Sequence, residues 1–198
     1  MRVPIRELMD IQLGYQCRDN SEVSQDGTYY LIQAKDVDSE FGHDLVVPSL
    51  DLVKPTRNPT PYIVVNGDLL FMARGRRRSV TLVEGLPSDR PSVAMYYFFI
   101  LRPRGNSVSP GFVAWIINQG PAKDYLASVA SGTTIPFVTK KAFSALEIDL
   151  PGLEVQEYIS RMYCLSTREG RLLRHLEQRR AELVRSACLD LYEQGERK

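Results

Sequence analysis

Along the first three-quarters of the chain, apolar residues fall in short runs separated by turn formers. The last quarter follows a helical period instead. Thr28–Gln33 is β-branched and aromatic, Leu45–Val47 and Leu50–Val53 are short apolar runs around Pro48, and Tyr62–Val65 is a further run after the breaker-rich stretch 55–61. The Asn66-Gly67-Asp68 tripeptide is a strong hairpin or turn signal. Asp68–Met72 and Val80–Val83 read as strands flanking a basic loop, and the uniformly apolar Val93–Leu101 reads as one central buried strand. Ser109-Pro110-Gly111 ahead of Phe112–Ile117 predicts a helix with an N-cap and a proline in its first turn. Residues 122–130 predict a second helix, and 135–138, 140–145 and 146–150 predict strand, one helical turn and strand.

Beyond Pro151-Gly152 the pattern changes. Residues 154–192 hold no proline and one glycine, Gly170, and are rich in Glu, Arg, Leu and Ala. Val155, Ile159, Met162, Leu173, Leu176 and Leu183 fall in steps of four and three, with Ser166, Glu169 and Arg180 interrupting the seam. A helix over this stretch reaches ~58 Å, too long for a unit of this size to cover, so it is expected to pair with another helix. Gly170 is the expected bend or break. The chain therefore reads as α+β: a β-rich globular unit over 1–150, then a long C-terminal coiled-coil helix over 151–198.

Charge sharpens the picture. The net charge is +1, but residues 1–68 carry −5, residues 69–145 carry +7 and residues 146–198 carry −1. A polyanion responds to the local field, so the middle third is where it would bind. Arg74, Arg76, Arg77 and Arg78 lie within five residues and repel one another unless an anion neutralises them. Arginine also grips guanine with two hydrogen bonds. Arg102 and Arg104, at the end of the predicted central strand, and Lys140 and Lys141 extend the basic set; Thr133 and Thr134 offer hydroxyls to phosphate oxygens. Tyr96-Tyr97-Phe98-Phe99 offers a stacking platform, but reads more simply as core. Arg171, Arg174, Arg179, Arg180 and Arg185 are interspersed with Glu177 and Glu182 and read as solvated helix flanks.

Catalytic signatures are missing. No glycine-rich nucleotide loop and no Gly-x-Ser-x-Gly elbow occurs. His43-Asp44 near Ser39 has no informative spacing, and the prolines of Asn58-Pro-Thr-Pro-Tyr62 are separated by a threonine, which makes it a rigid extended connection. Cys17, Cys164 and Cys188 are far apart, and with only His43 and His175 they argue against a metal site or a disulfide framework and for a reducing cytoplasm. The N-terminus lacks an apolar signal core, and no window is apolar enough to span a membrane. The expectation is a non-catalytic chain with no cofactor and no metal.

Several segments, in order, resemble the specificity (S) subunit of type I restriction–modification systems. They are Ile5–Gly14, Tyr30–Gln33, Val65-Asn-Gly-Asp-Leu-Leu-Phe71, Gly132-Thr-Thr-Ile-Pro-Phe-Val138, Leu146-Glu-Ile-Asp-Leu-Pro151 and Val155-Gln-Glu-Tyr-Ile159. The resemblance covers one half of such a subunit: one target-recognition domain and one spacer helix. It implies a modular reader of double-stranded DNA that positions a methyltransferase subunit and, in some systems, a translocating nuclease subunit, in DNA methylation and phage defence. It also implies that catalysis belongs to those partners, and that a half-subunit restores two-fold geometry as a homodimer through its helix. The alternative is a coiled-coil protein–protein adaptor whose domain no longer reads DNA.

Overall fold

The computed structural model describes residues 2–17, 22–38, 44–45, 50–76 and 78–196. Arg77, Ser39 and His43 lie outside the described residues, as does part of the predicted run 45–47. The elements in order are β1 (Arg2–Pro4), α1 (Ile5–Leu8), β2 (Met9–Leu13), β3 (Tyr29–Ile32), β4 (Val37–Asp38), β5 (Asp44–Leu45), β6 (Asp51–Val53), β7 (Ile63–Val64), β8 (Leu69–Met72), β9 (Val80–Leu82), β10 (Ser92–Ala94), β11 (Phe98–Pro103), α2 (Pro110–Ile117), α3 (Gly120–Ser128), α4 (Lys140–Ser144), β12 (Glu147–Asp149) and α5 (Leu153–Glu196).

Two four-stranded sheets carry the domain. One has the order β6-β3-β10-β7 and the other β2-β11-β8-β9, with all neighbours antiparallel except β3 and β10. Two small antiparallel pairs, β1 with β12 and β4 with β5, and a few isolated bridges add to the pairing. The predicted single strand Val93–Leu101 is in fact two strands in different sheets. The chain turns at Met95–Tyr97, where the Phe98 N–H donates to the Met95 carbonyl at 2.9 Å, and crosses from one sheet to the other. A uniformly apolar run has no period-two signal, so a turn that stays largely buried leaves no polar mark in the sequence. Asn66–Gly67 does form a turn, with φ +94° at Gly67, but it joins strands of different sheets rather than a hairpin. The 58–62 stretch ends in a short 3-10 turn, Thr60–Tyr62, with the Thr60 N–H donating to Asn58 Oδ1 at 3.0 Å, where a rigid extended connection was expected.

The main core lies between the second sheet and the helices. Phe71 stacks on Phe143 at 4.4 Å between ring centroids and lies 6.0 Å from Phe99. Val113, Ala114, Ile117 and Leu126 close that core from the α2–α3 side. Ile32, Val64, Leu70, Met72, Ala94, Phe98 and Ile100 form a second buried cluster, drawn from both sheets. Burying such side chains is the principal stabilising term, at roughly 1.5–3 kcal/mol for each large one.

Helix α5 is continuous through Gly170, where a bend or break was expected, and at 44 residues it is ~66 Å long. Its first turns are fastened to the domain by one buried amide. The side chain of Gln156, 1% exposed, accepts from the Ser109 N–H at 3.0 Å and donates to the carbonyls of Pro151 at 2.9 Å and Ser107 at 3.4 Å. Ser109 makes no side-chain cap on α2, so Gln156 supplies the acceptor that the start of that helix lacks. Farther along, Asn118 bonds both backbone groups of Val80, on the edge strand β9, and its amide also donates to the Tyr163 hydroxyl at 3.0 Å. Helices α2 and α5 approach so closely that a Cβ on Gly111 would overlap Ser160 Oγ.

Candidate nucleic-acid interface

The β8–β9 hairpin throws out the basic loop. Register pairs Phe71 with Val80, so the described residues 73–76, 78 and 79 belong to its tip. The tip is braced by a second segment. The Gly75 N–H donates to the Pro136 carbonyl and the Val138 N–H to the Ala73 carbonyl, both at 2.8 Å, and Arg74 and Phe137 form a bridge pair. Ser131 and Phe137 exchange two backbone hydrogen bonds, which closes a small loop that holds Thr133 and Thr134. The predicted strand 135–138 is thus two isolated bridges rather than a sheet member. Gly75 and Gly132 sit at φ +106° and +98°, a backbone region that favours glycine.

This arrangement brings Arg74, Arg76, Arg78, Thr133 and Thr134 to one end of the second sheet. Lys140 and Lys141 open α4 two residues beyond Val138, behind an N-cap in which the Thr139 hydroxyl accepts from the Ala142 N–H. Arg76, both threonines and both lysines are exposed. Among the described residues no carboxylate forms an ion pair with Arg74, Arg76, Arg78, Lys140 or Lys141. Cations that no carboxylate neutralises by direct pairing keep their full attraction for a polyanion.

Arg102 and Arg104 lie elsewhere. β11 runs antiparallel to β8, with Leu101 opposite Leu69, which puts both arginines at the other end of the sheet, ~20 Å from the loop by strand rise. Arg102 is clamped to Asp68: Nε to Oδ1 is 2.7 Å and Nη2 to Oδ2 is 2.6 Å, and Nη2 also reaches the Ile63 carbonyl at 3.2 Å. Asp68 is 1% exposed and also accepts from the Val65 N–H. The Asp68 carboxylate holds the Arg102 guanidinium pKa above its ordinary value. Arg104 pairs with Asp10 at 2.7 Å. These pairs tie the strand ends together and occupy donors that the sequence offered to DNA. No sequence signal joins Asp68 to Arg102, since the pairing is set by the fold.

Three uncharged side chains border the loop, of which the sequence singled out only Tyr96, within a stacking platform that read more simply as core. Tyr96 is half-buried with its ring under Arg74, whose Cζ lies 5.0 Å from the ring centroid. Ile135 and Phe137 stay 64% and 39% exposed beside the cationic tip. Of the four consecutive aromatics read as core, Phe98 and Phe99 are core, Tyr97 packs partly buried against the second cluster, and Tyr96 borders the loop. The neighbouring cysteine Cys17 lies with its Sγ 3.7 Å from Met95 Sδ, and among the described residues no cluster of three metal-ligating side chains occurs.

On the helix, Val155, Met162, Leu173, Leu176 and Leu183 are 49–72% exposed, and Leu165, Leu172, Val184 and Leu191 join them. Ile159 departs from the predicted seam: it packs on the main core beside α2, because the face that docks on the domain takes it first. No helix among the described residues is long and apolar enough to cross a membrane.

No family model matches the sequence, and no curated protein matches it. Solved structures do. The S subunit of a type I restriction–modification system from M. genitalium superposes with a TM-score of 0.55 at 13% identity, covering 82% of this chain and 37% of that one. The HsdS subunit from Thermoanaerobacter tengcongensis gives 0.56 at 17%, covering 89% and 39%. The fold is that of half an S subunit. A third neighbour, from a structure describing complex assembly and conformational transition of the type I system, gives 0.63 at 21%, covering 93% and 43%. The chain spans about two-fifths of the length of each S-subunit neighbour, and that stretch includes both the two-sheet domain and the long helix. At these identities the likeness speaks to the fold, and residue roles must come from the site itself.

Proposed function

We propose that this chain is a DNA-specificity module of a type I restriction–modification system, without catalytic or cofactor chemistry of its own. The domain over residues 1–150 reads duplex DNA, and the helix over 151–198 holds it at a fixed distance from a second reader. The observation that supports this reading is the hairpin tip of Arg74, Arg76 and Arg78, bonded to the 131–138 segment that carries Thr133 and Thr134 and leads into Lys140 and Lys141, on an S-subunit fold and with no ion pair to these cations among the described residues. Phosphate contacts from these cations give affinity, and base-edge contacts give sequence. Arg102 and Arg104, occupied by Asp68 and Asp10, act in the scaffold.

The exposed seam of α5 takes a second copy of this chain. A second copy brings the same exposed apolar seam, so two such helices can bury their seams against one another. Burial of Met162, Leu173, Leu176 and Leu183 drives the pairing. A methyltransferase subunit, and in some systems a nuclease subunit, docks on the resulting assembly. A symmetric dimer requires a two-fold symmetric, bipartite DNA site. Selection from a random duplex library, with the full chain alone and with a type I methyltransferase subunit, is expected to enrich two inverted half-sites at one fixed spacing. An adaptor role predicts no enriched sequence and no salt-dependent affinity.

A further inference from the structure

The structure describes three arginines of the basic loop, Arg74, Arg76 and Arg78, and does not treat them alike. We infer that, of these three, Arg74 reads a base, directed at a guanine, while Arg76 and Arg78 contact phosphates; this rests on the DNA-reading function proposed above.

Arg74 is exposed like Arg76, but its backbone is clamped and its guanidinium has a ring contact that Arg76 lacks. Its backbone is clamped between the Ala73–Val138 and Gly75–Pro136 hydrogen bonds, and the Ala73 N–H donates to the Tyr97 carbonyl at 2.8 Å. Its guanidinium lies over the Tyr96 ring. Tyr96 packs edge-on against Tyr97 at 5.5 Å, and the Tyr97 hydroxyl accepts from the Ala34 N–H at 2.9 Å, which anchors the pair to the first sheet's end of the domain. Stacking engages the face of a guanidinium and leaves its N–H edges free to form the two-bond grip on guanine O6 and N7. An arginine restrained by a ring and a clamped backbone loses less conformational freedom on binding than an unrestrained one, which suits it to discriminate between bases. The exposed side chains beside it, Ile135 and Phe137, are apolar, which suits base edges and sugars better than phosphates. Arg76 is exposed and makes no stacking contact or ion pair among the described residues, and Arg78 is half-buried with neither. Such cations suit phosphates, whose binding asks for charge and not for orientation.

The test is selection of bound sequences from a random duplex library by the full chain, followed by salt titrations on the enriched duplex. Arg74→Lys keeps the charge and loses the fork. It is expected to reduce discrimination at one guanine of each half-site by about tenfold while the salt slope stays unchanged. Tyr96→Leu should loosen the same position by a smaller factor, and Tyr96→Phe should retain wild-type preference, which marks Tyr96 as a positioning residue. Arg76→Ala and Arg78→Ala should each lower the salt slope by about one and leave base preference intact. Wild-type preference at every position in Arg74→Lys, or a base preference altered by Arg76→Ala, overturns the assignment of Arg74 alone. If the wild-type chain enriches nothing, the DNA-reading function fails first and this inference falls with it.

Discussion

Gln156 offers the sharpest check on how the helix is joined to the domain. Gln156→Leu keeps the volume and the helical preference of the residue while removing its amide. The Ser109 N–H would lose its acceptor at the half-buried start of α2, and an unsatisfied donor of this kind costs about 1–3 kcal/mol. The Ser107 carbonyl is on an exposed residue and can turn to water, so its 3.4 Å bond adds little. The 2.9 Å bond to the Pro151 carbonyl is worth roughly 0.5–1.5 kcal/mol net. The expected loss is therefore roughly 2–4 kcal/mol. For a chain of this size that is a fall in Tm of about 5–15 °C. Urea denaturation at one fixed protein concentration, followed by circular dichroism, would measure it. Gln156→Glu keeps an acceptor beside the N-terminal end of α2 and should lie between Leu and wild type. A Gln156→Leu chain within about 0.5 kcal/mol of wild type would refute the reasoning, since surface-like substitutions fall in that range.

Further outcomes follow from other contacts. Gly111→Ala would ordinarily gain up to ~1 kcal/mol in a helix, but its Cβ would meet Ser160, so thermal denaturation should show a loss of about 1–3 kcal/mol, partly restored by Ser160→Gly. Arg102→Ala strands the buried Asp68 carboxylate; with the guanidinium half in water the cost should be about 1–3 kcal/mol by urea denaturation, while the salt slope of DNA binding moves by less than ~0.5. Burial, then the hydrogen bond to Glu22 at 2.6 Å, raises the Tyr15 pKa above its usual value, so the folded chain keeps that proton where the unfolded chain releases it. Its contribution is fully present below about pH 10 and is lost as pH rises through the folded value, and stability curves of Tyr15→Phe should show a shallower alkaline decline.

The sequence announces some of this molecule and conceals the rest. Loop 74–78 was legible because two apolar runs flank a glycine and four arginines, and a hairpin tip is the place such a cluster can sit without burying charge. The long helix was legible from its composition and the missing proline, although Gly170 proved compatible with an unbroken helix. The crossing between sheets at Met95–Tyr97 was hidden, because the uniform apolar pattern on both sides of it carries no period. The strand Met9–Leu13 did carry a signal, alternating Met, Asp, Ile and Gln, with Met9 and Ile11 buried and Asp10 and Gln12 exposed. In the site, the ion pairs that withdraw Arg102 and Arg104 join residues 34 and 94 positions apart, beyond any local pattern. Tyr96 came to lie under Arg74 through the same sheet crossing, so its role could not be read before the topology was known.

The central claim is that positive charge gathered at one end of the domain engages the DNA backbone. Its most direct measurement is the slope of log K against log salt concentration for duplex binding by the full chain, compared with a variant in which Arg74, Arg76, Arg77 and Arg78 are all alanine. Three or four lost phosphate or base contacts should flatten the slope by roughly 3 and weaken binding at least tenfold at low salt. A slope shared by both proteins, with affinity changed no more than a few-fold, would contradict the account.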